Sequence, residues 1–428
     1  VSPIAGIEDV AARNLCTGCG TCAFVQPGEI RMINDVDQGR RPLVAPGADT
    51  ARALGACPGI AMGHPSSHPV DSDPDLLPDW GPVLEVWEGH AADPDIRFRG
   101  SSGGVATALA VHCLTDGGMR GVLHTAADPT APLLNRTVLS RTREEVVSAA
   151  GSRYAPASPC DGLGVVAAEP GPCAMIGKPC DIAGARRAAR LDPRLDERLQ
   201  LTVGIFCAGT PSTRATIELA ARLGFDDPGQ ITSVRYRGNG WPGDAEVRGI
   251  VDGQVVTRRT SYEDSWGQLQ SRRQWRCHVC IDHTGEFADI AVGDPWYRTL
   301  DPGEAGSSLI LVRTPRGRAA LAEAIAAGHV VAARVDPSLL PRSQPNLRRT
   351  RGAVWARILV SRLLGVAAPR YTNMPAWHLW LSLSPRDKAR SVVGTVRRIR
   401  RRSLRRRHQP TEWVAPRATT TSPSPRSE

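Results

Sequence analysis

No stretch of the 428-residue chain reaches about 18 uninterrupted apolar residues, so no segment is expected to span a bilayer as a helix. Residues 1–15 lack a basic start followed by an apolar run, so no secretory signal is expected there. An even cysteine count is also missing. Eleven cysteines, several at Cys-x2-Cys spacing, argue against a secreted disulfide framework and for metal or redox use in a reducing compartment, the cytoplasm. Acidic residues are scarce at one end. Residues 341–428 hold 20 Lys/Arg against 3 Asp/Glu, a net +17, which leaves 33 basic and 40 acidic residues, a net −7, in the remainder. A mildly acidic body with a strongly basic tail suggests an interaction tail and argues against a nucleic-acid-binding core. With 41% hydrophobic and 22% charged residues, most of the chain reads as two or three globular domains.

The most informative stretch is Cys16-Thr-Gly-Cys19-Gly-Thr-Cys22, taken with Cys57-Pro58. Three cysteines at this spacing and a distant Cys-Pro suit a [4Fe-4S] cluster, because four thiolates must converge on one cubane and a tight Gly-containing loop brings three to one side. The compact bacterial run continues Cys-x3-Cys-Pro; here Pro27 is present, but Gln26 stands where the fourth cysteine would be. That cysteine serves the other cluster in two-cluster ferredoxins, so Gln26 implies a single cluster closed by Cys57. Zinc also accepts Cys-x2-Cys pairs and is the alternative. Residues 30–33 and 41–44 read as short strands around a turn, within a cluster module of residues 1–62. Residues 63–82, rich in Pro, Asp, Ser and His, read as a linker.

A second unit, residues 83–345, alternates strands and helices and is expected to form an α/β mixed sheet. Its first strand, residues 83–87, leads to Arg97-Phe-Arg99-Gly100-Ser101-Ser102-Gly103-Gly104 and a helix from Val105 to about Leu114. Serines are good helix caps, glycines let a ligand approach the backbone, and a helix start with Arg97 and Arg99 nearby suits a cofactor phosphate. A plain capped helix is the alternative. Gly151-Ser152-Arg153-Tyr154 is a loop that reads either as a cofactor contact or as a surface turn. Gly162-Leu-Gly164-Val-Val-Ala167 matches a dinucleotide fingerprint by letters alone, with no clear strand before it and no helix after it. Cys180 and Cys207 each follow a predicted strand's carboxyl end, where open α/β sheets place ligands. Residues 231–260 read as β structure with a hairpin at Asp252-Gly253. Cys277-His-Val-Cys280 supplies another Cys-x2-Cys pair, so Cys180, Cys207, Cys277 and Cys280 are four thiols awaiting a site. Zinc bound by Cys277, Cys280 and a nearby histidine is the alternative. Cys113, Cys160 and Cys173 read as structural.

From about Arg348 the character changes again. Residues 354–364 are helical with interspersed arginines, Trp377-His-Leu-Trp380-Leu is aromatic and apolar, and residues 397–407 hold eight arginines. A basic amphipathic extension, residues 346–408, suits peripheral contact with an anionic membrane at its inner face, or a solvated basic tail. Residues 409–428 are expected to be disordered.

Several of these segments, in order, resemble the beta subunits of coenzyme F420 hydrogenases and dehydrogenases. They are Cys16-Thr-Gly-Cys19-Gly-Thr-Cys22, Arg99-Gly-Ser-Ser-Gly-Gly104, Gly151-Ser-Arg-Tyr154, Ile176-Gly-Lys-Pro-Cys-Asp-Ile-Ala183, Gly204-Ile-Phe-Cys207, and Arg276-Cys-His-Val-Cys280-Ile-Asp282 running into Ala288-Asp-Ile-Ala-Val-Gly-Asp294. The family also includes relatives that reduce chlorophyll-type pigments with ferredoxin as donor, so the substrate stays open. The resemblance implies a ferredoxin-like module ahead of a flavin domain, with FAD, [4Fe-4S] clusters, and coenzyme F420 or a ferredoxin-linked small molecule as substrate. It implies FAD contacts at Arg99, Ser101, Ser102, Gly103 and Gly104, joined by Gly151, Ser152 and Asp294, and a second cluster on Cys180, Cys207, Cys277 and Cys280. Lys178 and Arg153 are then candidates to stabilise negative charge on flavin or substrate, with Tyr154 and His124 as proton donors. A redox partner protein or subunit is implied, and no specific nucleic acid. Two rivals remain: a non-catalytic electron-transfer adaptor and a zinc-stabilised binding protein with a basic tail. Gln26, the lone later Cys-Pro and the basic tail depart from the family pattern.

Overall fold

The computed structural model describes residues 3–66, 71–299, 305–374 and 376–417. Short β-branched runs become strands and Gly or Asp-Gly pairs turn them. The N-terminal region carries the hairpin β1 (Ile30–Asp35) and β2 (Gly39–Val44), then β3 (Ala61–Gly63). The main body follows with β4 (Glu85–Ala91), β5 (Gly121–Ala127), β6 (Asn135–Ser140), β7 (Cys173–Gly177) and β8 (Leu199–Ile205). Next come β9 (Ile231–Arg235), β10 (Ala245–Val251) and β11 (Gln254–Thr260), then β12 (Ile290–Gly293), β13 (Ser308–Val312) and β14 (Val330–Arg334). A last short strand, β15 (Arg370–Thr372), pairs in parallel with β3.

Eight strands form one mixed sheet in the order β14-β4-β13-β12-β8-β7-β5-β6. Its centre, β12-β8-β7-β5, is parallel; the flanking pairings are antiparallel. The expected mixed α/β sheet is therefore present. The helix Val105–Thr115 covers one face, with Val105, Leu109 and Cys113 buried against Val122, Val203 and Ile310. β9, β10 and β11 form a separate three-stranded sheet, turned at Asp252 and Gly253, both with positive φ as such a tight hairpin requires.

Three stretches depart from the sequence reading. The supposed linker holds the helix Leu77–Trp80, and Trp80 is buried with Val83, Val86 and Leu309. The buried Arg313 donates to the Trp80 and Pro82 carbonyls, which anchors this stretch to the sheet. No serine side chain caps the helix at Val105; Gly104 takes the cap position at φ 76°, and the Ser102 hydroxyl donates to the Ser307 carbonyl at 2.7 Å. A short helix, Leu163–Ala168, does follow Gly162, but a 3-10 turn precedes it instead of a strand.

The basic extension packs onto the body. Its helices Leu347–Leu363, Ala376–Leu381 and Pro385–Arg401 are held by stacked Trp355, Trp377 and Trp380, with centroids 4.3 and 4.7 Å from Trp355. Beyond them the chain runs back along the first hairpin: the Trp413 amide donates to Asn34 O at 2.6 Å and Arg31 pairs with Glu412 at 2.7 Å. The expected disorder from residue 409 thus does not hold for this part, because the hairpin supplies partners; residues 418–428 lie outside the described residues. No helix among the described residues is long and apolar enough to cross a membrane.

Candidate functional site

All eleven cysteines are free thiols. Mutual charge effects group eight of them as two quartets: Cys22 and Cys57 respond to Cys16 and Cys19, Cys207 to Cys277 and Cys280, and Cys180 to Cys207. Cys16, Cys19 and Cys22 share a loop bent by Gly18 and Gly20 at φ 77° and 90°, and Cys57 follows the helix Ala51–Ala56. A Cβ on Gly20 would lie 2.7 Å from the Asp161 amide nitrogen, so the loop fits only with glycine there. Gln26 braces the structure nearby. It donates to the Asp49 carbonyl at 2.7 Å and accepts from the Ala53 amide at 3.1 Å, fixing the helix that delivers Cys57. Burial pushes the Cys57 thiol up to about 12, with the Cys19 and Cys16 charges adding to the rise. Cys22 is also raised by burial and then by Cys16, Cys19 and Cys57. Cys19 is the exception: against burial, the neighbouring Cys160 side chain and the Thr21 hydroxyl, 3.2 Å from Cys19 Sγ, hold it down at about 6, while the Cys160 thiol itself donates to the Asp181 carbonyl at 3.1 Å. Cys160, structural on the sequence reading, thus touches the quartet.

The second quartet stands at the carboxyl edge of the parallel strands. β7 leads into Lys178 and the helix Pro179–Ala189, whose second residue is Cys180. β8 leads into Cys207, which accepts from the Gly209 amide at 3.3 Å. Cys277 accepts from the Thr210 amide at 3.4 Å, and a Cβ on Gly209 would touch the Cys277 Cβ at 3.2 Å, so the two loops meet directly. Burial lifts Cys207 to about 12, with Cys277 and Cys280 contributing. It lifts Cys280 to about 11 against the opposing Arg276 charge. Bare thiols at these values are neutral at pH 7; a cationic metal core would deprotonate them, as a cluster site requires. The quartets are neighbours. Cys19 contributes to the raised pKa of Cys180, and a Cβ on Gly184, one turn beyond Cys180, would lie 3.5 Å from Cys19 Sγ. Buried Arg276 links them: it donates to the Gly59 and Pro58 carbonyls beside Cys57 while preceding Cys277, and its Nη1 has no partner.

A cavity of about 580 Å³ opens on the same edge, within the ~300–1,000 Å³ range of cofactor pockets. Ser101, Ser102, Gly104, Gly151, Ser152 and Asp294 lie on its wall. Gly103 stands behind it, where a Cβ would lie 2.7 Å from both the Gly89 oxygen and the Ser308 nitrogen. Arg99 is exposed and off the wall, and Arg97 holds the Ala305 and Gly306 carbonyls. Arg153 borders the cavity, but each of its guanidinium nitrogens donates into the protein, to Asn135, the Val234 carbonyl, and the Pro132 and Leu134 carbonyls. That geometry makes it a strut whose charge borders the cavity while its hydrogen bonds go to the protein. His124 is buried and bonded to Ser140 Oγ at 2.8 Å; burial lowers its pKa.

Lys178 reaches the wall with Nζ 2.6 Å from Asp181 Oδ2. Burial acts against its charge, yet Asp181 and Cys180 more than offset it, so the pKa is raised. Arg237 escaped the sequence reading. It is 3% exposed, grips Asp294 through two 2.9 Å bonds, approaches the Tyr154 hydroxyl at 3.3 Å and lies 4.6 Å from the Tyr262 ring centre. The Asp294 carboxylate is therefore engaged by Arg237 and by Trp241 Nε1 at 2.8 Å. Tyr154, Tyr262, Trp266 and Trp296 make the cavity's aromatic wall. They are scattered over residues 154–296, so no local motif announces them.

Two family models match the chain. One, the N-terminal part of coenzyme F420 hydrogenase/dehydrogenase beta subunits, covers residues 86–163; the other, the C-terminal part, covers residues 172–338. Both begin after the first cysteine quartet. The chain is 26% identical over 254 residues to coenzyme F420 hydrogenase subunit beta of Methanosarcina barkeri, covering 58% of this chain and 81% of that one. It is 25% identical over 262 residues to the Methanococcus voltae protein of the same name, covering 58% and 83%. An uncharacterized protein of Methanocaldococcus jannaschii is 22% identical over 343 residues, covering 76% and 90%. The fold matches a chain in the F420-reducing [NiFe] hydrogenase complex from Methanosarcina barkeri, with a TM-score of 0.53 at 22% identity, covering 70% of this chain and 98% of that one. The chain belongs to the coenzyme F420 hydrogenase/dehydrogenase beta-subunit family.

Proposed function

We propose that the protein is an iron–sulfur flavoprotein that moves electrons between FAD, two [4Fe-4S] clusters and a hydride-carrying coenzyme such as F420. The observation that carries this is the meeting of two thiol quartets and a ligand-sized cavity on one sheet edge, with Cys207 and Lys178 common to the cavity wall and the second quartet's surroundings. The residues fit the groups. Buried or half-buried thiols with backbone amides aimed at Cys16, Cys207 and Cys277 suit anionic sulfur in each quartet. Gly100, Ser101, Ser102 and Gly104 line the cavity just ahead of the helix at Val105, a place suited to a phosphate or sugar. FAD, when bound, would supply the exchange between two-electron hydride and one-electron chemistry.

The chain's own residues do the rest. Lys178, kept cationic by Asp181, places a positive charge between cavity and quartet. The Arg237–Asp294 pair holds the Tyr262 and Trp296 rings, which exclude water from one cavity wall. Arg41, 1% exposed beside Cys16, and Arg276 put cations next to the two quartets and favour their reduced states. Arg153 braces the Gly151–Tyr154 loop. The reading places the chain in the cytoplasm beside a redox partner subunit. Anaerobic analysis of iron, sulfide and flavin, followed by mixing with reduced F420, tests it: a brown protein whose flavin absorbance bleaches supports the reading, and a colourless zinc protein refutes it.

A further inference from the structure

The basic extension is welded to the loops that carry the second quartet. From the helix Leu347–Leu363, Arg357 donates to the His278 carbonyl at 2.7 Å, one residue from Cys277. Just past the helix Pro385–Arg401, Arg402 donates to the Arg273 carbonyl at 2.7 Å and to Ser271 at 3.3 Å. Arg273 in turn crosses Gly209 and donates to the Ala208 carbonyl at 2.7 Å, the residue after Cys207. Arg398 completes the group: burial, with the Arg398 and Arg273 charges adding to it, lowers the pKa of Arg357 to about 10. Among the described residues no carboxylate forms an ion pair with Arg273, Arg357, Arg398 or Arg402, while Arg397, Arg400, Arg401, Arg405 and Arg406 are exposed around them. Unpaired like charges brought together disfavour folding, and backbone carbonyls offset only part of that cost. Here they surround the rim of the quartet lined by Cys207 and Cys277.

We propose that this arginine collar is the docking face for a small acidic one-electron carrier protein, which exchanges electrons with the Cys180, Cys207, Cys277 and Cys280 site. The proposal rests on the cofactor reading above for the electron's destination. One electron leaves the carrier and one enters this site; no bond forms or breaks. Charge complementarity selects the partner, since a steep positive field steers an acidic protein and is most useful where electrons must cross at short range. The central heads are pinned to loop carbonyls and so pre-organised for a folded partner. Trp377, Leu381 and Leu363 lie 41%, 46% and 74% exposed on neighbouring helices, so an anionic membrane is the rival occupant that the test must distinguish.

The test uses the full-length holoprotein and an acidic plant-type [2Fe-2S] ferredoxin as probe. Equilibrium binding of oxidised ferredoxin is measured at low and high salt for wild type, Arg397→Glu/Arg401→Glu, Arg398→Glu, and the control Arg194→Glu, whose side chain is 78% exposed. Electron transfer from reduced ferredoxin and from reduced methyl viologen is followed in parallel. Binding that weakens about tenfold or more in the collar variants and at high salt, but not in the control, supports the proposal. Reduction of the protein by methyl viologen should then be unaffected. Absent binding by wild type at low salt, or binding that ignores the charge reversals, overturns it. So does charge-dependent binding to phosphatidylcholine/phosphatidylserine vesicles without binding to ferredoxin, which assigns the face to a membrane. Charge-dependent docking without electron transfer would uphold the collar and refute the cofactor reading, so the two fail separately.

Discussion

The ion pair between Glu286 and Arg351 ties the C-terminal extension to the body, and its loss should be costly. Each side chain is about 1% exposed, and Arg351 also donates to the Ile281 carbonyl, next to Cys280. Burial disfavours the Glu286 carboxylate, but Arg351 and His64 outweigh it and bring its pKa down to about 2. Glu286→Gln leaves a buried guanidinium without its counter-charge, a change worth roughly 3–5 kcal/mol. With an unfolding entropy of ~2.1 cal/mol/K per residue, a 428-residue chain shifts by about 1 °C per kcal/mol, so the expected fall in Tm is roughly 3–6 °C. Arg351→Met should cost less, because Glu286 keeps His64 at 2.8 Å, and the double variant should recover part of the loss. A folded pKa near 2 against about 4.3 in the unfolded chain makes the contribution complete above pH ~4.3 and lost as pH falls towards 2. About half of it should be gone at pH 3, so the Tm gap between wild type and Glu286→Gln should narrow there. Thermal denaturation followed by circular dichroism, with the double-mutant cycle, reads all of this. A Glu286→Gln protein within about 1 kcal/mol of wild type, or a strictly additive cycle, would show that the pair does not anchor the extension.

Further outcomes are expected elsewhere. Cys16→Ala with Cys19→Ala should remove the N-terminal cluster, seen as about half the iron, while flavin stays bound; joint loss of flavin would show that the two sites are not separable. Gly103→Ala should destabilise by about 1–3 kcal/mol and weaken flavin retention on gel filtration, because its Cβ would meet backbone on both sides. Trp80→Ala should cost about 3–5 kcal/mol in denaturant unfolding, and an effect near zero would restore the view of residues 63–82 as a loose linker.

What can be read from the sequence follows local chemistry. Strand–loop–helix alternation indicates the mixed sheet, and the position of Cys180 and Cys207 after strands puts both thiols on its carboxyl edge. Residues 63–82 mislead because Pro and Asp dominate their composition, while Trp80 and the distant Arg313 decide their packing. Ser102 reads as a cap, yet a glycine in the left-handed region closes the helix start and frees the hydroxyl for Ser307. Tyr154 and Arg153 are legible in the Gly151–Tyr154 loop, but Arg237, Tyr262, Trp266 and the bracing role of Arg153 leave no local signal, because their partners come from elements far apart in sequence. The tail reads as a basic amphipathic extension, either at a membrane surface or solvated; the Trp355, Trp377 and Trp380 contacts and the buried Arg351 that fold it back onto the body are long-range.

The proposed arrangement, eight cysteines holding two clusters beside a flavin, sets a stoichiometry that can be counted. The direct measurement is quantitative iron, acid-labile sulfide, zinc and flavin analysis on the anaerobically purified wild type and on Cys280→Ser, with electron paramagnetic resonance of the reduced proteins. The prediction is about eight iron and eight sulfide with one FAD per wild-type chain, and roughly half that iron in Cys280→Ser with the N-terminal signal intact. Stoichiometric zinc without sulfide, or a wild-type iron content that Cys280→Ser leaves unchanged, would contradict it.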